Sequence, residues 1–200
     1  VSVSLKVNGV EEEWGDAALS GSFHVLSYAT TSGFGIDDNA AWPVLPSAIL
    51  LFIGIWCGMA GSTSGGLKFD RAVLLFKEIH YRLKKVLHPA SINEVRIDRR
   101  VIHQEDVSPH ILYICLYMMV FLVSVVINLM LDKGSVHAFY ATLSSLSNVG
   151  PAVRELGTYG SFSAEPLGAK VMYTIDMFLG RVEIYPVLSV VFMIFHPKAK

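Results

Sequence analysis

Apolar and polar positions fall in long blocks along this chain rather than in short periods, and the blocks predict membrane spans. From residue 39 to 67 there is no Lys, Arg, Asp or Glu, with the apolar weight over 42–60. Residues 109–131 are equally free of these charges. A third block, 171–195, is apolar but carries Asp176, Arg181 and Glu183 in its interior. A helix needs roughly 20 mostly apolar residues to cross a hydrocarbon core of about 30 Å, so these three blocks read as spans. Two further apolar stretches, 19–29 and 136–146, are too short. At about 1.5 Å per residue they reach about half the core thickness. Each runs at once into a glycine-containing polar turn and then into a full span. That order predicts a half-helix that dips into the membrane and returns as non-helical backbone. Such backbone is tolerated at that depth only when it is buried in protein or lines a watery cavity.

The pattern of half-helix, turn and span occurs twice, which marks an internal repeat. At an offset of 117 residues, Leu26, Ser27 and Gly33 fall on Leu143, Ser144 and Gly150. The expected fold class is therefore all-α and integral to the membrane, with about one and a half to two such repeats. The first unit covers 1–86 and lacks its first span. It has a pore helix at 19–30, a turn at 31–35 and a broken second span over 42–83. Residues 87–108 form a linker. The second unit covers 109–200, with a span at 109–131, a pore helix at 136–146, a turn at 147–151 and a span at 171–195. The chain opens at Val1, without Met, on a weakly apolar stretch ending in Glu11-Glu12-Glu13, and reads as part of a longer polypeptide.

Charge orients the spans. Nine of the sixteen basic residues lie between Lys68 and Arg100, and the C-terminal tail adds Lys198 and Lys200. The positive-inside rule puts both regions in the cytoplasm. The first 38 residues hold one lysine against six acids, which fits the outside. Three crossings satisfy these placements in a plasma or inner membrane. Composition agrees, with 52% hydrophobic and 16% charged side chains and a mean hydropathy of +0.49. Soluble chains carry about 25% charged residues. The formal net charge of −1 supplies no basic field for nucleic acid. Cys57 and Cys115 both lie in apolar runs, which argues against a disulfide scaffold or a thiolate metal site.

The turns carry the candidate chemistry. Thr31-Ser32-Gly33-Phe34-Gly35 has the Thr-x-Gly-aromatic-Gly order of a potassium selectivity filter, in which successive backbone carbonyls replace the water around an ion. Glycine permits the conformations that aim carbonyls in succession. The preceding half-helix turns its partly negative C-terminus toward the same point. An ordinary polar turn before a helix is the plainer alternative on these five letters. The corresponding second turn, Ser147-Asn148-Val149-Gly150-Pro151, departs from the pattern by placing Pro151 where the first has an aromatic.

Three segments together resemble the Trk/Ktr and plant HKT superfamily of potassium transport proteins. These are Ala29-Thr30-Thr31-Ser32-Gly33-Phe34, the run from Gly58 through Gly61-Ser62-Thr63-Ser64-Gly65-Gly66 to Lys68, and Phe178-Leu179-Gly180-Arg181-Val182-Glu183-Ile184. The resemblance extends over nearly the whole chain. It implies four span, pore-helix and span repeats around one pore, of which this chain holds most of the third and all of the fourth. It also implies potassium uptake, with Thr30, Thr31, Ser32, Gly33, Phe34, Ser147, Asn148, Val149 and Gly150 lining the filter. No cofactor is expected in the chain beyond the transported ion. The expected partners are potassium, with sodium as the alternative ion, membrane lipid, a second copy in a homodimer, and a cytoplasmic nucleotide-binding regulatory subunit.

The small-residue run invites a phosphate-loop reading, but Leu67 separates Gly66 from Lys68 and a span precedes it instead of a strand. Gly54 and Gly58 are spaced for close helix packing. The stretch from 58 to 66 breaks a helix. By the resemblance it is an intramembrane loop beneath the filter, with Gly58, Gly61, Ser62, Thr63, Ser64, Gly65 and Gly66 forming a gate. Arg181 belongs to the same gate on this reading, and a buried ion pair with another helix is its alternative. An amphipathic helix with Val73, Leu74, Phe76, Ile79 and Leu83 at helical spacing follows as either a solvated continuation or a docking surface. Two further classes stand beside transport: a non-conducting membrane scaffold, and an enzyme using Asp176 and Glu183 as a carboxylate pair. No nucleophile or metal motif accompanies that pair, so the chain is read as a non-enzyme.

Overall fold

The computed structural model describes residues 1–200 except 12, 60, 89–94, 98–99, 103, 132–133, 151–156, 159 and 196–200. Pro151 of the second turn, Ala60 of the small-residue run and the terminal lysines Lys198 and Lys200 thus lie outside the described residues.

Eight α-helices and one short hairpin organise the described residues. In order they are α1 (Ser2–Val7), α2 (Trp14–Thr30), α3 (Val44–Ile55), α4 (Phe69–Leu87), β1 (Val95–Ile97), β2 (Arg100–Ile102), α5 (Gln104–Met130), α6 (Ser135–Ser147), α7 (Leu167–Val182) and α8 (Ile184–Phe195). The strands pair antiparallel, with Arg96 opposite Val101, inside the segment read as a linker.

Among the described helices, α5 alone is long and apolar enough to cross a membrane. It holds one of the two charge-free blocks, 109–131. The other two blocks are broken. Helix α3 has 12 residues, about 18 Å of rise, and gives way to the small-residue run before α4 begins. The block 171–195 is two helices, α7 and α8, bent by 108° at Glu183, where the sequence reading has one straight span. Pro186 accounts for the break. Its ring nitrogen cannot donate to the carbonyl of Val182, and a proline there is compatible only with the first turn of a new helix.

Helix α2 begins at Trp14, five residues before the apolar stretch at 19–29. Glu13 caps it in an extended conformation and Asp16 sits in its first turn, where a carboxylate faces the positive end of the helix dipole. Helix α6 is the most enclosed element. Ala138, Ala141, Thr142, Leu143, Ser145, Leu146 and Ser147 are all buried, and α3, α5 and α7 pack around it. Its small side chains allow that close approach. Helix α4 leaves most of its apolar stripe outward. Its buried face carries Arg71, Ala72, Leu74 and Glu78, while Phe76, Ile79 and Leu83 are exposed.

Candidate permeation site

The two turns share one backbone conformation. Helix α2 ends at Thr31, with φ 53. The Thr31 N–H donates to the Tyr28 carbonyl at 3.2 Å, and the Ser32 N–H to the Ser27 carbonyl at 3.0 Å. Helix α6 ends at Asn148, with φ 57. The Asn148 N–H donates to the Ser145 carbonyl and the Val149 N–H to the Ser144 carbonyl, both at 3.1 Å. Paired bonds of this kind around a left-handed residue define a Schellman close. Every partner sits at the 117-residue offset seen in the sequence. Two residues further on, Gly33 and Gly150 take φ 76 and φ 99, a region open mainly to glycine.

These glycines also meet in space. A Cβ built on Gly150 would lie 4.0 Å from the Gly33 Cα. The C-terminal ends of α2 and α6 therefore converge, and both carry partial negative charge. Ser27 donates its hydroxyl to the Phe34 carbonyl at 2.6 Å, which ties the far side of the first turn back to its helix. Ser32 reaches the Ser27 hydroxyl at 3.3 Å, and Thr30 donates to the Leu26 carbonyl. Phe34 is 71% exposed. In the second turn Tyr117 and Ser147 share a hydrogen bond at 3.2 Å, and Asn148 donates through Nδ2 to the Met177 carbonyl of α7.

The small-residue run closes on itself beneath these ends. Its neck is held by three bonds: Leu67 N–H to the Ile55 carbonyl, Phe69 N–H to the Gly58 carbonyl, and Cys57 Sγ to the Gly65 carbonyl. Upward, the Gly58 N–H donates to the Ala29 carbonyl at 3.1 Å and the Ser64 hydroxyl to the Thr30 carbonyl at 3.4 Å. A Cβ on Gly65 would stand 2.7 Å from the Ser147 carbonyl oxygen. The run therefore touches the ends of both α2 and α6. Ser64, Gly65 and Gly66 are buried, while Gly61, Ser62 and Thr63 are exposed at the tip. Of the expected packing pair, Gly54 lies in α3 within 3.4 Å of Val149 as measured from an added Cβ. Gly58 lies beyond the helix at φ 50 and belongs to the run.

Arg181 is exposed at the end of α7 and makes no hydrogen bond or ion pair with the described residues. The ion pairs of this region belong to Glu183, which Lys68 meets at 2.5 Å and Arg71 at 3.0 Å. The Arg71 guanidinium also lies 3.8 Å over the Tyr113 ring. Sequence reasoning missed this cluster because its partners are 112 and 115 residues apart. The two carboxylates of the enzyme alternative go to different partners, since Asp176 is buried and accepts from Ser124 at 2.6 Å. Among the described residues no three His, Cys, Asp or Glu gather as a metal site. The oxygens concentrated at the turns are carbonyls and hydroxyls, which suit a large monovalent cation stripped of water.

The bundle thus brings the C-terminal ends of two helices together over a loop, within a helical membrane architecture of the transport class. The family model described as "TrkH: Cation transport protein" matches residues 10–200, and the chain belongs to that family. It is 31% identical over 166 residues to the Trk system potassium uptake protein TrkH of Escherichia coli strain K12, covering 83% of this chain and 34% of that protein. It is 29% identical over 171 residues to the Trk system potassium uptake protein TrkG of the same strain, covering 83% of this chain and 34% of that protein. The crystal structure of the potassium transporter TrkH from Vibrio parahaemolyticus superposes with a TM-score of 0.87 at 28% identity, covering 94% of this chain and 40% of that one. The chain spans about a third of the length of the curated relatives it matches. The family is one of transport and not of catalysis.

Proposed function

We propose that this chain supplies two of the four filter strands of a potassium uptake protein in the plasma or inner membrane. The backbone of residues 30–34 and 147–150 lines the ion path, with hydroxyl help from Thr31. The run from Gly58 to Gly66 lies across the path below them as a gate, and exposed Arg181 adds a positive charge that raises the barrier to cations. Residues 68–108 and the C-terminus are cytoplasmic. The exposed Phe76, Ile79 and Leu83 of α4 form a docking face for a nucleotide-binding regulatory subunit, and the intact protein is a homodimer.

One observation carries this reading: two turns with the same left-handed cap and hydrogen-bond pattern meet through Gly33 and Gly150 at the converging ends of α2 and α6. A Cβ at φ 76 is strained and turns the adjoining carbonyl. Gly33→Ser in the intact protein is therefore expected to lower potassium preference over sodium by about tenfold, equivalent to about 1.4 kcal/mol of differential ion binding. Membrane insertion should stay intact. Ion flux from proteoliposomes measures the effect, and unchanged selectivity would remove the filter assignment.

A further inference from the structure

The break between α3 and α4 and that between α7 and α8 both end on an ion-paired residue. Lys68, which caps α4, has φ 63, and Glu183, between α7 and α8, has φ 70. Non-glycine residues hold such conformations only where their surroundings over-determine them. Here the surroundings include each other, since the Lys68 ammonium and the Glu183 carboxylate are in direct contact at 2.5 Å. Lys68 is also the first residue after the neck of the small-residue run, and Glu183 follows Arg181 by two. A carboxylate therefore ties the exit of the run to the kink beside Arg181.

We propose that Glu183 is a positioning residue for the gate, a clasp that holds the run from Gly58 to Gly66 in register with α7. The proposal rests on the permeation reading for its transport consequence, but its geometry does not. Arg71 distinguishes the clasp from a general structural ion pair. It has a second hold on α5 through the Tyr113 ring, and its guanidinium also reaches the Leu67 carbonyl at 3.4 Å. Loss of Glu183 leaves α4 docked on α5 while Lys68 loses its partner. The neck then loosens at its C-terminal side, and the exposed tip at Gly61, Ser62 and Thr63 moves with it.

The test uses the intact protein in liposomes with Ser62→Cys as a reporter, in a background where the exposed Cys115 is serine. A water-soluble maleimide reads the tip. Glu183→Gln should raise the labelling rate about threefold or more, as expected when local opening becomes easier. Lys68→Gln should act in the same direction. The double variant should label no faster than Glu183→Gln alone, because both changes remove one interaction. If Glu183→Gln cannot be recovered folded, Lys68→Gln decides alone, since Arg71 still holds Glu183 in that variant. An unchanged rate in monodisperse protein, or rates that multiply in the double variant, would overturn the clasp. Potassium flux from the same liposomes is scored separately. Wild-type protein that conducts nothing yet shows these labelling rates defeats the permeation reading and leaves the clasp standing.

Discussion

The ends of α2 and α6 are the same piece of backbone held by different hands. Both close through a left-handed residue with bonds at equivalent positions. At the end of α6 the support comes from the side: Asn148 bonds the Met177 carbonyl, and Gly65 and Gly180 press against the Ser147 and Leu146 carbonyls. At the end of α2 the support comes from below and within, through the small-residue run and the Ser27 hydroxyl. The first is caged by a helix and the second rests on a loop. Burial follows the same division. Residues 141–147 are buried without a gap, whereas α2 leaves Leu19 and Leu26 more than 60% exposed. Helix α6 has the long α5 packed along it, and α2 has the six-residue α1. A repeat therefore fixes backbone form, while the neighbours decide how firmly that form is kept.

The largest effect should come from filling the cage. At Gly180 an added Cβ would overlap the Leu146 carbonyl oxygen and approach Asn148 Nδ2 to 2.8 Å. The carbonyl belongs to a helix end packed on three sides and cannot retreat. Gly180→Val should cost about 3 kcal/mol or more, at the upper end of overpacking penalties, and lower the recovery of monodisperse intact protein. The control lies on the loop side. Gly61 has nothing within 4 Å of an added Cβ, although its φ is +85. Gly61→Ala should cost only about 1 kcal/mol of backbone strain. Thermal midpoints in detergent rank the two, and equal losses would erase the caged-versus-resting distinction.

The second effect tests the left-handed residues themselves. Asparagine accepts this conformation more readily than most residues, and a β-branched threonine accepts it poorly. Asn148→Thr loses both that tolerance and the bond to Met177, together about 2 kcal/mol. Thr31→Asn gains the tolerance, and the threonine hydroxyl it removes bonds none of the described residues. It should be neutral or stabilising by up to about 1 kcal/mol. Denaturation midpoints of the intact protein check the opposite signs. Destabilisation by both would mean that the two turns are not equivalent in backbone.

Much of this was legible in the order of residues. The charge-free block 109–131 marked α5, the one described helix long and apolar enough to cross a membrane. The small-residue run marked the break after α3, since its four glycines and three hydroxyl residues disfavour a helix. Repetition at 117 residues placed the turns, and Ser27 with Ser144 was among the matching positions. Other features had no local trace. The kink at Glu183 follows from Pro186, a signal masked by the apolar run on either side. The buried face of α4 carries Arg71 and Glu78, which apolar spacing could not point to. The Glu183 clasp joins residues more than a hundred positions apart, and only the packing of α4, α5 and α7 brings them together.

The smallest effect separates the first turn's own support from that of the loop. Ser27 is buried and donates to the Phe34 carbonyl at 2.6 Å. Replacing it with alanine leaves that carbonyl without its donor but keeps the Schellman bonds, which use the Ser27 backbone. A lost bond of this type costs about 1 kcal/mol, so folding should change little. The freed carbonyl is at the far end of the turn, next after Gly33, where on the proposed permeation reading a small reorientation alters what an ion meets. Ser27→Ala is therefore expected to shift the potassium-to-sodium flux ratio by a few-fold at nearly constant thermal midpoint. If the midpoint falls by as much as for Asn148→Thr while the flux ratio holds, the hydroxyl supports the helix and not the turn.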